Sequence, residues 1–456
     1  MFTKSFFVVG IAPWVCLISL LVRNTKLLRK CFLCLCSFAM IFIFFGIETI
    51  LFLIGVGIIS WIVVTFLGLE RSSGTFRRWV IFIGVVFSTL PLLGTKYFRL
   101  VDENKWTIVG VSFVTFEALS LVFDAYYRKG IFAGNTHGVC LITVLSYLAF
   151  FPTIVSGPIL RFEDFNRGYE EFELAETGWR PLVERIMLGL IKKVLIADKL
   201  AAFANNYFDG ISNGFEFSNI GLWLASIAYS LQLYYDFSGY SDMAIGFAGL
   251  MGINIPENFN SPYTASSISD FWRRWHISLS KWFKDYVYIP LGGNRKGFLI
   301  MLRNMVIVWG MTGLWHGKDV KFIVWGAGYC VLLILEKRNL LQKSIKQSWL
   351  RHFYTLFWVN LLWIPFRASS LGTACAFIKG MILPFRKVVI EKQAIYILPL
   401  LLISILLLIP WNKIVKSGSL NRVGNIIKPM VILLGFLYAT ASVINSTYVP
   451  YIYGEF

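Results

Sequence analysis

The sequence predicts an all-α polytopic membrane protein, and two observations carry that prediction. Of its 456 residues, 57% are hydrophobic and only 15% are charged, against roughly 45–50% and 25% in soluble proteins. The mean hydropathy is +0.66, so the chain requires a solvent more apolar than water. These numbers exclude an ordinary soluble globular protein, and the useful count is of membrane spans rather than soluble domains.

The positive charge of the chain lies mostly between its apolar runs. Forty-three Lys and Arg residues face 25 Asp and Glu residues, which gives a formal net charge of +18. In a soluble chain this excess would suggest nucleic acid, but Lys and Arg also mark the cytoplasmic loops of membrane proteins. We therefore expect a lipid membrane and no nucleic acid among the partners.

The seven cysteines lie in or beside apolar runs and are odd in number. Cys31, Cys34 and Cys36 come nearest to a metal cluster, but no His or second Cys pair completes four ligands. We expect apolar thiols, no disulfide framework and no metal site.

The first residues, 1–104, are expected to form N-terminal transmembrane helices. The apolar run from Phe6 to Val22 has no small-residue cleavage pattern, so it is expected to remain as the first span. The 38 residues from Cys31 to Gly68 are nearly uncharged. One helix of that length would run about 57 Å, nearly twice a ~30 Å hydrocarbon core. We expect this run to fold back near Glu48.

The basic loops fix the expected orientation. Two spans separate the basic loop at 23–30 from the one at 71–78, so both lie on one side, which the positive-inside bias makes cytoplasmic. The N-terminus is then extracytoplasmic. Further apolar runs lie near 79–95, 107–124, 138–157, 183–204, 218–250, 298–316, 322–336, 353–366, 371–384, 393–410 and 428–447. Some of them are too short to cross the membrane fully, so we expect about eleven transmembrane helices in all.

A polar, aromatic stretch from 258 to 297 interrupts the spans. Ser267 and Asp270 form a capping-box pattern that opens a helix, and Pro290 closes it after about five turns. Its aromatic stripe contains Trp272, Trp275, Leu279, Trp282 and Tyr286, with Arg273, Arg274, Lys281 and Lys284 off the stripe. This pattern predicts an amphipathic interfacial helix, either a membrane anchor or a cationic site for a phosphorylated donor.

The scarcest titratable residue is histidine, with four in the chain. His316 ends an apolar run, and an ionisable residue at membrane depth is functional by default. Gly310, Gly313 and Gly317 recur at helical spacing before and after it, so another helix or a substrate can approach closely there. The structural alternative is a core histidine that binds a neighbouring carbonyl.

Histidine suits a particular chemistry. With an ordinary pKa near 6.5, an imidazole can remove the proton of an attacking hydroxyl, as acyl transfer from a thioester requires. His276, beside the aromatic stripe, is a second candidate, whereas His137 and His352 lie near loops and are expected to be structural.

Two further patterns favour structural interpretations. Asp236 and Asp242 stand six residues apart in an apolar block, where acid–base work and helix-end hydrogen bonding are both possible. The run Gly210–Gly214 matches a nucleophile-elbow pattern, but its polar surroundings indicate a loop rather than a strand, turn and helix.

Several ordered blocks together resemble one family. They are Gly110–Phe113, Thr115–Phe116, Phe150–Pro152, Ser156–Pro158, Tyr235–Ala244, Pro256–Phe259, Ser261–Tyr263, Ser269–His276, Ile289–Arg295, Gly313–Gly317 and Phe366–Ala368. The chain resembles a membrane-bound O-acyltransferase (MBOAT) of the alginate O-acetylation type. The resemblance covers roughly 105–370, taken as the catalytic core, whereas 1–104 and the C-terminal helices 371–456 match only in hydropathy.

This resemblance implies a fold and an activity. Transmembrane, interfacial and re-entrant helices should form a ring around a thinned central tunnel in the cell inner membrane. His316 takes the place of the family's invariant catalytic histidine and His276 that of its paired histidine. The implied reaction moves acetyl from cytoplasmic acetyl-CoA toward an extracytoplasmic polysaccharide, often through a periplasmic or surface SGNH-type acyltransferase. No permanently bound cofactor is expected, and the predicted donor-binding residues are Arg273, Arg274, Trp275 and Lys281.

Two alternatives to acetyl transfer stay open. One is a non-enzymatic flippase of a lipid-linked sugar, with the histidines as a proton relay; the other is D-alanyl transfer to teichoic acid. The chain also departs from the family pattern at Lys318 and Asp319, at Tyr329 where a histidine is usual, and at Glu117 where a glutamine is common.

Overall fold

The structure is a computed structural model that describes residues 1–4, 6–69, 73–98, 108–128, 130–132, 139–172, 178–338, 347–383, 390–409 and 418–445. Every regular element in those ranges is a helix, which confirms the all-α prediction. Among the described residues, four helices are long and apolar enough to cross a membrane: Lys26–Leu67, Gly74–Lys96, Phe298–His316 and Ile427–Asn445. His137 lies outside the described residues.

The chain forms two compact units, the first of which contains the described residues within 1–189, 240–257 and 443–456. Its helices are α1 (Ala12–Val22), α2 (Lys26–Leu67), α3 (Gly74–Lys96), α4 (Val111–Tyr127), α5 (Leu141–Leu148), α6 (Phe162–Glu170) and most of α7 (Arg180–Ile191). Small residues bring their backbones together: a Cβ on Gly84 would lie 2.8 Å from Val63 and 3.1 Å from Val122.

Helix α2 is broken where the sequence predicts a break. Gly46 has φ 82° and ψ 177° inside the 42-residue run, a conformation that favours glycine because a side chain would be strained there. The break stands two residues before Glu48, and it divides a run that is too long for one straight span.

The second unit contains the described residues within 190–239 and 258–442. Its helices are α8 (Asp198–Ser212), α9 (Asn219–Leu250), α10 (Ile268–Arg274), α11 (Ile277–Phe283), α12 (Phe298–His316), α13 (Val320–Lys337), α14 (Ser348–Arg367), α15 (Leu371–Ile382), α16 (Lys392–Tyr396), α17 (Leu398–Leu407) and α18 (Gly418–Asn445). Two of these helices extend beyond the unit, α9 by eleven residues and α18 by three. Helix α9 is continuous, and Gly210 lies inside α8, so the elbow interpretation is excluded.

The predicted five-turn helix in the polar stretch is wrong. His276 adopts φ 43° and ψ 55°, which separates α10 from α11. The amide N–H of Ile277 donates to the carbonyl of Asn258 (3.0 Å), and the carbonyl of Arg274 accepts from Asn260 N–H (3.0 Å). Both groups would otherwise serve the helical hydrogen-bond ladder, so a neighbouring segment takes over the bonds that would have continued the helix.

The two carboxylates Asp236 and Asp242 bind different cations rather than each other. Within the second unit, the Lys193 ammonium lies 2.6 Å from Asp236 and 2.8 Å from Asp198. Within the first, Arg185 binds Asp242 at 2.9 Å. Pairing of this kind is what burial of a charge requires, and it agrees with the structural interpretation. The predicted three-part division at residues 104 and 370 stays a prediction.

Candidate active site

His316 is the last residue of α12 and is surrounded by aromatic rings. Its imidazole is 4% exposed. The ring centroids of Trp315, Phe366 and Trp325 lie 4.5, 4.9 and 5.0 Å from that of His316, and that of Phe322 lies 6.2 Å away. Close packing of several rings fixes the imidazole by shape.

Glycines let α13 reach this position. A Cβ on Gly313 would lie 2.7 Å from the carbonyl oxygen of Phe322, and one on Gly317 would lie 2.5 Å from the Phe322 ring. A Cβ on Gly326 of α13 would lie 2.7 Å from the carbonyl of Trp309. The predicted close approach is confirmed at Gly313 and Gly317, and its partner is a helix. A Cβ on Gly310 would meet nothing within 4 Å, so this glycine takes no part in the approach.

His276 lies in the break between α10 and α11 and is 2% exposed. Its Nδ1 lies 3.1 Å from Asn258 Oδ1, and its ring is nearly perpendicular to that of Phe237, with the centroids 4.7 Å apart. His276 is outside the four candidate spans of the described residues, and burial lowers its pKa to about 3. The imidazole is therefore neutral near pH 7.

The two predicted histidines meet at one indole. The Trp315 ring lies 4.5 Å from His316 and 6.3 Å from His276 between centroids. The structure thus brings together two residues that are 40 positions apart in the sequence, and it does so through the aromatic residue that directly precedes His316.

The second unit contains a cavity of about 360 Å³. Apolar and aromatic side chains form much of its wall, and cations stand at Arg273, Lys284 and Lys337. Its lining residues are Ser269, Trp272, Arg273, Leu279, Ser280, Phe283, Lys284, Tyr288, Met305, Val308, Trp309, Thr312, Leu333 and Lys337. Apolar walls with a few polar groups are typical of small-molecule sites.

Neither histidine lines this cavity. Thr312 does, and it precedes His316 by four residues, or one helical turn. Trp309 also does, and its ring lies 6.0 Å from that of Trp325, which in turn lies 5.0 Å from His316. Two indoles therefore link the cavity wall to the buried imidazole.

The four predicted donor-binding residues occupy different surroundings. Only Arg273 lines the cavity, with a side chain that is 73% exposed. Arg274 is turned to Asp270 (3.0 Å), and Lys281 is exposed away from the cavity lining. Trp275 is 1% exposed and stacks on Phe271 with centroids 5.4 Å apart, so it packs the protein interior.

Sequence reasoning missed Lys337, Tyr288 and Glu336. Lys337 lines the cavity, and its ammonium lies 5.6 Å from the Tyr288 ring centroid. The Glu336 carboxylate accepts hydrogen bonds from the amides of Ile268 (2.7 Å) and Ser269 (2.9 Å) and from the Ser269 hydroxyl (2.8 Å). It therefore joins the end of α13 to the start of α10, as a carboxylate at a helix N-terminus can. In the sequence, the only signal of this role is that Glu336, an isolated acid, directly precedes the basic pair Lys337 and Arg338.

Comparison with known families identifies the segment that contains these residues. The family model of MBOAT, the membrane-bound O-acyltransferase family, matches residues 132–374, slightly more than half of the chain. The chain belongs to this family. The matched segment includes both histidines, the cavity and the loop that carries Asn258.

Similar MBOAT relatives have several stated activities. The chain is 40% identical to "Probable alginate O-acetylase AlgI" of Pseudomonas fluorescens over 65% of this chain and 59% of that protein. It is 33% identical to the "Peptidoglycan O-acetyltransferase" of Helicobacter pylori, over 74% of this chain and 71% of that protein. It is 31% identical to the "Teichoic acid D-alanyltransferase" of Bacillus subtilis, over 55% of this chain and 66% of that protein. The chain spans half to three fifths of the length of the curated alginate relatives that it matches.

The positions that depart from the MBOAT pattern have definite surroundings. Tyr329 is fully buried, stacks on Trp309 at 5.4 Å and meets Trp272 edge-on at 4.9 Å. Asp319 accepts the Lys321 amide at 2.9 Å and so caps α13. Lys318 is exposed. Tyr329 therefore belongs to an aromatic cluster with two residues of the cavity wall, whereas Asp319 caps α13 and Lys318 directly precedes that cap.

Glu117 and His352 each have a hydrogen-bond partner of their own. Glu117, in the first unit, is 1% exposed and accepts from the Leu160 amide at 3.4 Å. His352 lies 3.0 Å from the Ala265 carbonyl through Nδ1. Because a carbonyl only accepts, Nδ1 of His352 donates, and this bond fits the structural role predicted for that histidine.

Proposed function

We propose that this protein is a membrane O-acyltransferase that transfers acetyl from cytoplasmic acetyl-CoA, leading to O-acetylation of an extracytoplasmic polysaccharide. The observation that carries the proposal is the meeting of His276 and His316 at Trp315, in a segment that matches the MBOAT family. The names O-acetylase and O-acetyltransferase, printed for the alginate and peptidoglycan relatives, favour acetyl as the group transferred.

In the proposed reaction, His316 acts as general base. Its imidazole removes the proton of the acceptor hydroxyl while the hydroxyl oxygen attacks the thioester carbonyl. The C–S bond then breaks, the proton passes from the imidazolium to the leaving thiolate, and the products are an ester and a free thiol. His276 shares or orients this proton transfer, and its neutral ring suits that role.

The donor's phosphates would bind the cations at the cavity. Arg273, Lys284 and Lys337 supply positive charge, and charge-assisted bonds to phosphate are stronger than neutral ones. The apolar wall would receive the acyl-bearing end of the donor. To reach His316, the thioester must pass Trp309 and Trp325, so this proposal requires these two side chains to move.

The membrane arrangement belongs to the same proposal. We place about eleven spans in a ring around a thinned central tunnel, in the cell inner membrane, with the N-terminus extracytoplasmic. An SGNH-type acyltransferase outside the membrane would take the acetyl group onward. Protease access to an N-terminal tag in spheroplasts tests the orientation.

The central experiment uses membranes that contain the full chain and labelled acetyl-CoA. His316→Ala should lower thioester turnover by about 10²–10⁴-fold, with the folded protein retained. His352→Ala is the matched control, because His352 binds a backbone carbonyl away from the cavity lining. Full turnover in His316→Ala would overturn the assignment of the base.

D-alanyl transfer is the second candidate, favoured by the teichoic acid relative. A D-alanyl carrier-protein thioester offered to the same membranes separates the two reactions, since the proposed enzyme should consume acetyl-CoA and leave the carrier thioester intact. A requirement for a proton gradient without consumption of either donor would indicate the flippase instead.

A further inference from the structure

Asn258 has an amide oxygen that accepts several hydrogen bonds inside the second unit. The side chain is 0% exposed. Its Oδ1 lies 3.2 Å from the Ser278 amide nitrogen, 2.9 Å from the Ser278 hydroxyl and 3.1 Å from Nδ1 of His276. Because a backbone N–H can only donate, the atom facing Ser278 N must be the oxygen of the Asn258 amide, not its NH₂ group.

The oxygen in turn decides which nitrogen of His276 carries the proton. An amide oxygen has no proton to give, so the neutral imidazole must donate to it from Nδ1. The lone pair of the neutral ring is then on Nε2. One backbone amide, at Ser278, thus fixes the orientation of Asn258, which fixes the tautomer of His276.

We propose that Asn258 is a positioning residue that holds His276 as the Nδ1–H tautomer, so that Nε2 is the nitrogen that exchanges protons during acyl transfer. The assignment rests on the proposed function for its consequence in turnover, but the tautomer itself does not depend on which group is transferred.

The backbone keeps His276 in place against a conformational cost. His276 has φ 43°, which is uncommon for a non-glycine residue, and such conformations persist only where their surroundings determine them. Here the carbonyl of Asn258 accepts from Ile277 N–H and the amide of Asn260 donates to Arg274. The backbone before and after His276 is therefore hydrogen-bonded to the segment 258–260, which also contains the Asn258 side chain that binds the imidazole.

The tautomer can be measured directly. The full chain labelled with ¹⁵N-histidine, in lipid nanodiscs, contains only four histidines, and a His276→Gln sample identifies the His276 signals. We expect a protonated Nδ1 and an unprotonated Nε2 near pH 7. A protonated Nε2 on the neutral ring would overturn the proposal.

Variants then connect the tautomer to turnover. Asn258→Leu removes the acceptor at similar size, and we expect loss of the Nδ1–H signature and a fall in kcat of about 10²-fold or more, with little change in KM for the donor. Asn258→Asp keeps an acceptor oxygen and should retain the signature and at least a tenth of the turnover. Equal loss in both folded variants would overturn the proposal.

Ser278→Ala is the matched control. It removes one hydroxyl bond to Asn258 Oδ1 but keeps the backbone N–H that orients the amide, so the tautomer should be unchanged. If Asn258→Leu does not fold, Asn258→Asp and Ser278→Ala still decide the question through the ¹⁵N spectrum. A wild-type level of turnover in His316→Ala would refute the proposed base and leave the tautomer result standing, which separates the two failures.

Discussion

The surroundings of His316 and His276 differ in the kind of contact that holds each ring. His316 is enclosed by aromatic side chains at the end of a long helix. His276 stands in a helix break, where Asn258 binds its ring and the neighbouring backbone. Packing against rings fixes a position by volume, whereas a hydrogen bond also fixes which nitrogen is protonated.

This difference suggests a division of labour between the two histidines. The His316 site should be sensitive to changes in side-chain volume, since a ring that loses a packing partner gains freedom to move. The His276 site should be sensitive to loss of an acceptor or to a change of protonation, even where volume is kept.

Trp315 belongs to both surroundings, so its removal should have the largest effect. Its side chain is 6% exposed and contacts both histidines. Trp315→Ala should cost about 3–5 kcal/mol of stability through the void it leaves and should abolish most turnover, whereas Trp315→Phe should lose less of each. Thermal unfolding and thioester turnover in one detergent measure this. A change below about 1 kcal/mol would show that the indole is not a shared support.

A volume change beside His316 can be tested with one substitution at two positions of α12. Gly313→Ala adds a methyl 2.7 Å from the Phe322 carbonyl, and overpacking of this kind should cost about 1–3 kcal/mol. Gly310→Ala meets nothing within 4 Å, so it should be neutral or slightly stabilising because alanine favours helix. Unfolding temperature and turnover should fall only in the first variant; equal behaviour of the two would contradict close packing at Gly313.

The pH dependence of folding stability should show that His276 is buried as a neutral ring. Its pKa in the folded protein is about 3, against about 6.5 when unfolded. Between these values the unfolded chain binds a proton that the folded protein does not, so stability falls as the pH decreases from 6.5 toward 3. At pH 5 the loss attributable to this group is about 2 kcal/mol.

His276→Gln provides the comparison for that titration. The variant lacks the group, so its stability should fall less between pH 7 and pH 5 than that of the wild type. Parallel unfolding curves for the two proteins across this range would mean that His276 is not buried in its neutral form.

The cations at the cavity should have the smallest effects, because Arg273 is well exposed and exposed charge pairs are worth about 0–1 kcal/mol. Arg273→Gln and Lys337→Gln should each raise KM for acetyl-CoA a few-fold at low salt, and less at high salt. Lys281→Gln removes the same charge from outside the cavity lining and should leave KM unchanged. An equal rise in all three would indicate general attraction of the donor rather than a site.

Long apolar helices could be predicted from the sequence, whereas the two short helices of the polar stretch could not, and the site could be predicted only in part. The expected run at 298–316 coincides with α12, and the expected break near Glu48 falls at Gly46. His316 and His276 could be chosen because histidine is rare in this chain and because the surrounding blocks resemble one family. Lys337 could not be chosen from the sequence, because it follows Arg273 by 64 residues. Only the packing of α13 beside α10 brings both cations to one cavity.

By itself, the sequence determined that the chain is an apolar, all-helical membrane protein. The reason is local: each apolar run must satisfy its own backbone hydrogen bonds, and a helix does so within the segment. The tertiary structure decided where α10 ends, which cations share the cavity and which nitrogen of His276 bears the proton. Each of those depends on a hydrogen bond or a contact between residues distant in the chain, as between Asn258 and His276, which no local pattern of hydropathy records.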